Sequence, residues 1–367
     1  MSIERITQLQ ERMKQSGLQA VALNPSPNLA YLTNLHYHLM ERPIVVIIPA
    51  QGDMAAILPE FEVGKLAVSN LKIIPFAYGE NPAGWVDVFK KACLSIGLKQ
   101  QTIGVDPNHF RFLEFNYLQQ GAPEARIVAA GNQISSLRVH KDEKEISCMR
   151  KAAEIAQNAF NASLASIRPG ISEIELAQEM TIQLLRAGSD NDSEFATIIA
   201  SGPNSAIPHH TPSDRQLQVG DAIIIDWGAK YKGYYSDLTR NVHLGEPTLE
   251  YKQIYNTVLK ANSTGRSAGA PGIPAGRVDQ VTRSVIETAG YAQWFTHRTG
   301  HGLGLETHEP VYIFGENLEK LEVGMVYTIE PGIYLPGKFG VRIEDDVVVT
   351  ADGSWSLSNY SRDLIVL

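Results

Sequence analysis

The chain has 367 residues, 44% of them apolar and 20% charged, which is long enough for two domains and a substantial core. Thirty-two basic residues against 40 acidic ones give a net charge of −8, which argues against a nucleic-acid or anionic-membrane partner. No apolar run approaches the roughly 20 residues of a transmembrane helix, no leader-like apolar segment opens the sequence, and Cys93 and Cys148 are too few for a disulfide framework, so a cytoplasmic protein with reduced thiols is expected.

Ile3, Ile6, Leu9 and Met13 recur at helical spacing, with Gly17 placed to stop the helix. Strand-like runs follow at 21–23, 44–48, 54–58, 71–76 and 103–105, with helical stretches at 62–69, 85–96 and 111–119. This predicts an α/β domain over residues 1–135 with no glycine-rich phosphate loop and no run of catalytic residue types. The segment 28–38, NLAYLTNLHYH, reads as a loop that is more polar and aromatic than a plain core needs. His36 and His38 within it also fit as ordinary surface histidines.

Residues 134–142 read as a linker into a second domain, 136–367. A helix over 143–166 ends before Pro169-Gly170, and another over 174–187 starts after a possible N-cap at Ser172. A strand at 195–200 leads into the turn-rich loop SGPNSAIPHHTP, and further helices are expected at 249–268 and 277–289. No repeat of fixed period is present.

The chemistry gathers in the second domain. DAIIIDWGAKYKGYYSDLTR, residues 221–240, reads as a β-hairpin carrying Asp226 on one arm and Asp237 on the other. Two rim aspartates would be the plain account of it. However, MVYTIEPGIY ends an apolar strand with Glu330, and GVRIEDDVVVT sets Glu344 inside a β-branched one. Between the two hairpins lies HRTGHGLGLETH, with His301 flanked by glycines. Four carboxylates on buried strands plus a histidine form a hard, oxygen-rich set suited to two divalent cations, and would be costly in a core without them. The nucleotide-loop reading of GHGLG lacks G-x-G-x-x-G spacing, and Tyr312 breaks an H-E-x-x-H reading from His308-Glu309.

DWGAKYKGYYSDLTR, HRTGHGLGLETHEP, IEPGIY and VRIEDD together resemble the motifs of the pita-bread metallopeptidases, in the branch holding Xaa-Pro dipeptidase (prolidase) and aminopeptidase P. The resemblance spans essentially the whole chain. It implies an α/β N-terminal domain followed by an α+β pita-bread catalytic domain, with metal ligands at Asp226, Asp237, His301, Glu330 and Glu344. Asp237 and Glu344 would bridge two cations, manganese by family habit, although cobalt, zinc and iron suit the same donors. Glu330 would also act as general base. His209, His297 and His308 would face the substrate, donating to it and to the tetrahedral intermediate. Arg342 would pair with a ligand carboxylate, or else form a plain salt bridge. A homodimer is implied, with segment 28–38 approaching a partner's active site.

The implied reaction is hydrolysis of the bond before proline in a small peptide. Many prolidases carry an arginine just after the His-Glu-x-Pro segment; here the run is Glu309-Pro-Val-Tyr-Ile-Phe, which departs from that pattern. A short aminopeptidase P is therefore the close alternative to a dipeptidase. A creatinase-like hydrolase or an inert binding module of the same fold is disfavoured by five intact ligands.

Overall fold

The computed structural model describes residues 2–193 and 195–367. Among these residues the chain divides into two units, one ending at Arg138 and the other starting at Val139.

The first unit contains helices α1 (Ser2–Gln15), α2 (Pro27–Thr33), α3 (Trp85–Ser95), α4 (Phe112–Gly121) and α5 (Gly131–Ser135). Its strands are β1 (Ala20–Leu23), β2 (Val45–Pro49), β3 (Met54–Pro59), β4 (Ile73–Tyr78), β5 (Thr102–Val105) and β6 (Arg126–Ala129), in one sheet ordered β4-β3-β2-β1-β5-β6. Pairings β1–β2 and β2–β3 are antiparallel and the other three parallel. α1 buries Ile6, Leu9 and Met13 and leaves Ile3 exposed, and Gly17 follows it at φ 68°. The stretch expected as a helix at 62–69 is a 3₁₀ segment, Glu60–Val68.

Segment 28–38 is not simply a loop. Ser26 caps α2 by accepting from Leu29 N, Pro27 sits in its first turn, and Asn34 ends it in a left-handed conformation. The sequence signal was hidden by the brevity of the helix. Beyond it His36, His38 and Leu39 are exposed. Cys93 is buried, Cys148 half-buried, and both are free.

The second unit opens with α6 (Glu143–Ser163), started by a capping box between Asp142 and Glu145, and α7 (Glu173–Ala187), with another between Ser172 and Glu175. Then follow β7 (Ile198–Ser201), β8 (Ala222–Trp227), β9 (Lys230–Tyr231), β10 (Tyr234–Tyr235) and β11 (Leu238–His243), and helices α8 (Leu249–Ala268) and α9 (Ala275–Thr288). The rest is strand: β12 (Gly300–Gly302), β13 (Glu309–Ile313), β14 (Val326–Ile329), β15 (Gly332–Leu335), β16 (Phe339–Arg342), β17 (Asp345–Thr350), β18 (Gly353–Ser356) and β19 (Ile365–Val366).

One sheet has the order β19-β11-β8-β7 and another β13-β12-β14-β17-β18. α6 and α7 cover the first: Phe160, Leu176 and Met180 pack with Ile223, Ile225, Trp227, Leu238 and Val242. Phe160 stacks on Trp227 at 4.5 Å, and the indole N–H donates to Ala156 O. Val278 of α9 packs with Ile313, Tyr327, Ile329, Val347 and Val349 of the second sheet.

Alternation then places the chemistry. With Ile223, Ile225 and Trp227 committed to the helix-covered face, Ile224 and Asp226 face the other way. Thr239 lies opposite Asp226 in the antiparallel register. Two runs expected as single strands are broken at the carboxylate. Residues 234–242 divide into β10 and β11 around Ser236–Asp237, and residues 340–350 divide into β16 and β17 around Ile343–Glu344. Glu344 instead forms an isolated bridge with Thr239, its N–H donating to Thr239 O at 3.2 Å, so the two hairpins meet there. The strand expected from 195 begins at Ile198.

Candidate active site and metal centre

A cavity of about 350 Å³ in the second unit is lined by His209, Asp226, Asp237, His297, His301, His308, Glu330, Arg342 and Glu344. These are all nine residues nominated from sequence, drawn from segments separated by more than 130 positions.

His301 shows how the centre is built. β12 has glycine on both sides of it, and a Cβ at Gly300 would stand 1.8 Å from Thr328 O, one at Gly302 2.1 Å from Pro310 O. Only glycine permits that approach. The His301 N–H donates to Thr328 Oγ1, and Nδ1 lies 3.0 Å from Gly302 O. A carbonyl can only accept, so Nδ1 carries the proton and Nε2 keeps its lone pair. Burial, and then the neighbouring His308, push the imidazole well below its ordinary pKa, so it is neutral and ready to ligate. Nε2 faces Glu330 Oε1 at 3.4 Å and Asp237 Oδ2 at 4.0 Å.

Donor atoms of Asp237, His301 and Glu344 lie within 4.8 Å of one another, a group able to hold a metal ion. Asp226 and Glu330 line the same cavity outside that trio. Asp237, Glu344 and Glu330 all have raised pKa values, in each case chiefly through burial; neighbouring carboxylates add to this, and Glu330 reaches about 7. Asp226 Oδ1 and Asp237 Oδ1 are buried with no hydrogen-bond partner. Buried, clustered and partnerless carboxylate oxygens are costly, and cation binding is the chemistry that relieves them. The residues present therefore fit divalent metal.

Arg342 is the positive counterpart. Its Nη2 donates to Asp226 Oδ2 at 2.6 Å, Nη1 to Tyr334 Oη at 3.0 Å and to Pro208 O at 3.2 Å, and Nε to Thr239 Oγ1. Thr239 Oγ1 in turn donates to Glu344 Oε2 at 2.7 Å. The guanidinium is buried, so its pair with Asp226 is not a surface salt bridge. Behind Glu344, Asp345 accepts from Arg240, Arg362 and Asn262, and Arg240 Nη1 donates to Glu344 O.

The three further histidines differ in what they offer. His297 Nδ1 donates to Arg298 O at 2.8 Å and Nε2 lies 2.9 Å from Tyr334 Oη, so both ring nitrogens are engaged within the protein. Burial lowers its pKa to about 4, so the neutral ring accepts from the tyrosine, whose own pKa burial raises to about 12. His308 lies 3.8 Å, centroid to centroid, from His301, and its Nδ1 is 3.5 Å from Arg298 Nη2. Burial, then Arg298, lower its pKa. His209 lines the cavity beside Pro208, whereas His210 turns away to Glu173 at 2.8 Å.

Phe195, Ala196, Ile198, Arg298 and Thr307 also line the cavity and were not singled out from sequence. Tyr334 was missed too, although its place two residues after Gly332 in the IEPGIY motif marked it. Phe195, Ala196 and Ile198 give the site an apolar wall.

The catalytic-domain model named metallopeptidase family M24 matches residues 147–351, and the creatinase/prolidase N-terminal domain model matches residues 5–140. The chain belongs to metallopeptidase family M24. YqhT, an uncharacterised peptidase of Bacillus subtilis, is 34% identical over 99% of this chain and 100% of its own. The crystal structure of a prolidase from Thermococcus sibiricus aligns with TM-score 0.94 and 37% identity, covering 100% of this chain and 99% of that one. An Xaa-Pro dipeptidase from Bacillus anthracis aligns with TM-score 0.91 and 32% identity, covering 100% of both chains. The expected family and two-part fold are borne out, and this M24 chain is a metallopeptidase with a candidate metal-binding cluster at Asp237, His301 and Glu344.

Proposed function

We propose that the chain is an Xaa-Pro dipeptidase, hydrolysing the peptide bond before proline with two divalent cations held by Asp226, Asp237, His301, Glu330 and Glu344. The convergence of all nine nominated residues on one cavity carries this reading. The cations supply Lewis acidity toward water and toward the scissile carbonyl. Glu330, which lines the same cavity, takes the proton from the attacking water and returns it to the departing nitrogen. His308 and His209 donate to the oxygen on which charge develops. His297 holds Tyr334 in register with Arg342, and Arg342 fixes Asp226. A proline ring has no N–H to satisfy, and the wall of Phe195, Ala196 and Ile198 suits its apolar face.

The preference for manganese rests on the oxygen-rich donor set and on the resemblance to the family. Localisation in the cytoplasm and a homodimer belong to the same proposal. The dimer is supported by exposed His36, His38 and Leu39 beyond α2, and sedimentation of the active enzyme as a monomer would refute it. One observation favours a short aminopeptidase P instead: no arginine follows Glu309-Pro310 through Phe314. Hydrolysis of Ala-Pro, Ala-Pro-Ala and Ala-Ala with added Mn²⁺ decides between them. Cleavage of Ala-Pro alone supports the dipeptidase, cleavage of Ala-Pro-Ala favours the aminopeptidase, and comparable cleavage of Ala-Ala removes proline specificity altogether.

A further inference from the structure

The turn-rich loop carrying His209 is tied to a single buried carboxylate. Glu173, in the first turn of α7, is fully buried. Its Oε1 accepts from Ser201 N at 2.8 Å, Ser201 Oγ at 2.6 Å and Asn204 Nδ2 at 3.1 Å. Its Oε2 accepts from His210 Nε2 at 2.8 Å, Ser213 N at 3.0 Å and Ser213 Oγ at 2.6 Å. One side chain thus gathers the loop at its start, at its middle and at its end. The donors span residues 201–213, and the cavity-lining Pro208 and His209 lie between them.

Two further contacts link this knot to the site. His210, the residue next to His209, is the mid-loop donor, so its bond to Glu173 fixes the backbone from which His209 projects. Pro208 O accepts from Arg342 Nη1, so the same loop contributes to seating the guanidinium that holds Asp226. A plain α7 N-terminus needs none of this. Its capping is already supplied by Ser172 and Glu175, and Glu173 N donates to Arg215 O. An acidic group sunk beneath a loop, with every lone-pair direction taken by loop donors, is built to hold one loop geometry.

We propose that Glu173 and His210 are positioning residues for His209, setting the donor that meets the substrate's developing charge. The assignment rests on the reading of His209 as a substrate-facing donor, and neither residue touches substrate itself. Misplacing a catalytic group by about 1 Å costs up to about 10²-fold in rate. Loss of the knot is therefore expected to lower kcat roughly 10- to 100-fold, with little change in KM or metal content.

The test is steady-state hydrolysis of Ala-Pro by the manganese-loaded enzyme and its Glu173→Gln, His210→Ala, His210→Gln and His209→Ala variants, with metal content measured on each. The expected result is that Glu173→Gln and His210→Ala lose kcat on the wild-type background but not on the His209→Ala background. His210→Gln, which keeps a donor within reach of Glu173, should recover most of the rate. A general weakening of the fold would instead persist with His209 absent. Should Glu173→Gln not fold, the His210 pair carries the same comparison. Wild-type kcat in both Glu173→Gln and His210→Ala, losses that multiply with His209→Ala, or losses that follow metal content each overturn the inference. Full activity in His209→Ala would overturn the reading of His209 itself, and this assignment with it.

Discussion

Arg342 donates to Asp226 Oδ2 at 2.6 Å while Asp226 Oδ1, equally buried, has no partner. One oxygen of the carboxylate thus meets its counter-charge within the protein, and in the proposed site the other would meet a cation. Replacing Arg342 by methionine keeps most of the volume and strands Asp226 among like charges. Removing one partner of a buried pair typically costs about 3–5 kcal/mol. Denaturant unfolding of metal-free Arg342→Met is expected to show a loss of that order, and an unchanged midpoint would mean the pair is energetically idle.

Stability without metal should fall as pH rises. Asp237, Glu330 and Glu344 have folded-state pKa values above their unfolded ones, with Glu330 at about 7. Their favourable contribution is complete below the unfolded values near pH 4 and is lost as pH climbs through the folded ones. Metal-free protein should therefore be less stable at pH 8 than at pH 6, by up to about 1.4 kcal/mol per pH unit for each of these groups while it keeps its proton in the fold. Metal loading should remove the decline and release protons. Unfolding curves at several pH values, with and without Mn²⁺, check this; a metal-free stability flat or rising over that range contradicts the assignment.

Glu173 acts with the opposite sign. Burial alone would raise its pKa, but hydrogen bonds from Ser201, Ser213, His210 and Asn204 win and hold it at about 2. Its contribution is present above the unfolded value near 4.5 and is lost as pH falls toward 2. The difference amounts to about 3 kcal/mol at most. Between pH 5 and 3 the wild type should lose more stability than Glu173→Gln, and parallel acid-unfolding profiles would refute the point.

Asp237→Asn and His308→Ala should fail differently. Asparagine offers one neutral oxygen in place of a charged pair, so bound metal should drop together with activity. His308 lies against His301 with its ring tilted by 33° but is no ligand in the proposed site, so His308→Ala should keep its metal and lose about 10²–10³ in kcat. Elemental analysis beside kinetics separates them. Metal loss in His308→Ala as severe as in Asp237→Asn would show that the histidine has been placed in the wrong role.

Much of the candidate site could be read before folding because each proposed ligand sits in a short motif whose strand character is strong. Asp226 follows three isoleucines, Glu330 ends an apolar run, and His301 is bracketed by glycines. What could not be read was tertiary. The break that turns Glu344 out of its strand comes from its bridge to Thr239, a residue 105 positions away. Phe195 has no motif of its own and reaches the cavity only because its neighbouring segments bring it there, whereas Arg298 sits inside HRTGHGLGLETH beside histidines that drew the attention away from it. His297 fitted a substrate-facing role in sequence, yet a tyrosine and a carbonyl occupy both its nitrogens. Residues 28–33 read as loop because a helix of seven residues has too few turns to show its period.

The tight passage of β12 bears on how such an enzyme can change. With main chain pressed against main chain at Gly300 and Gly302, His301 is located by backbone contact and not by side-chain packing. Even an alanine at either position would force the strand away from its neighbours, so there is no graded series of substitutions through which the histidine could drift. Phe195, Ala196 and Thr307 are not under that constraint. Altering the peptide preference is thus uncoupled from keeping the catalytic centre, and a designer or a lineage can reshape the cavity wall while the histidine stays where the glycines put it.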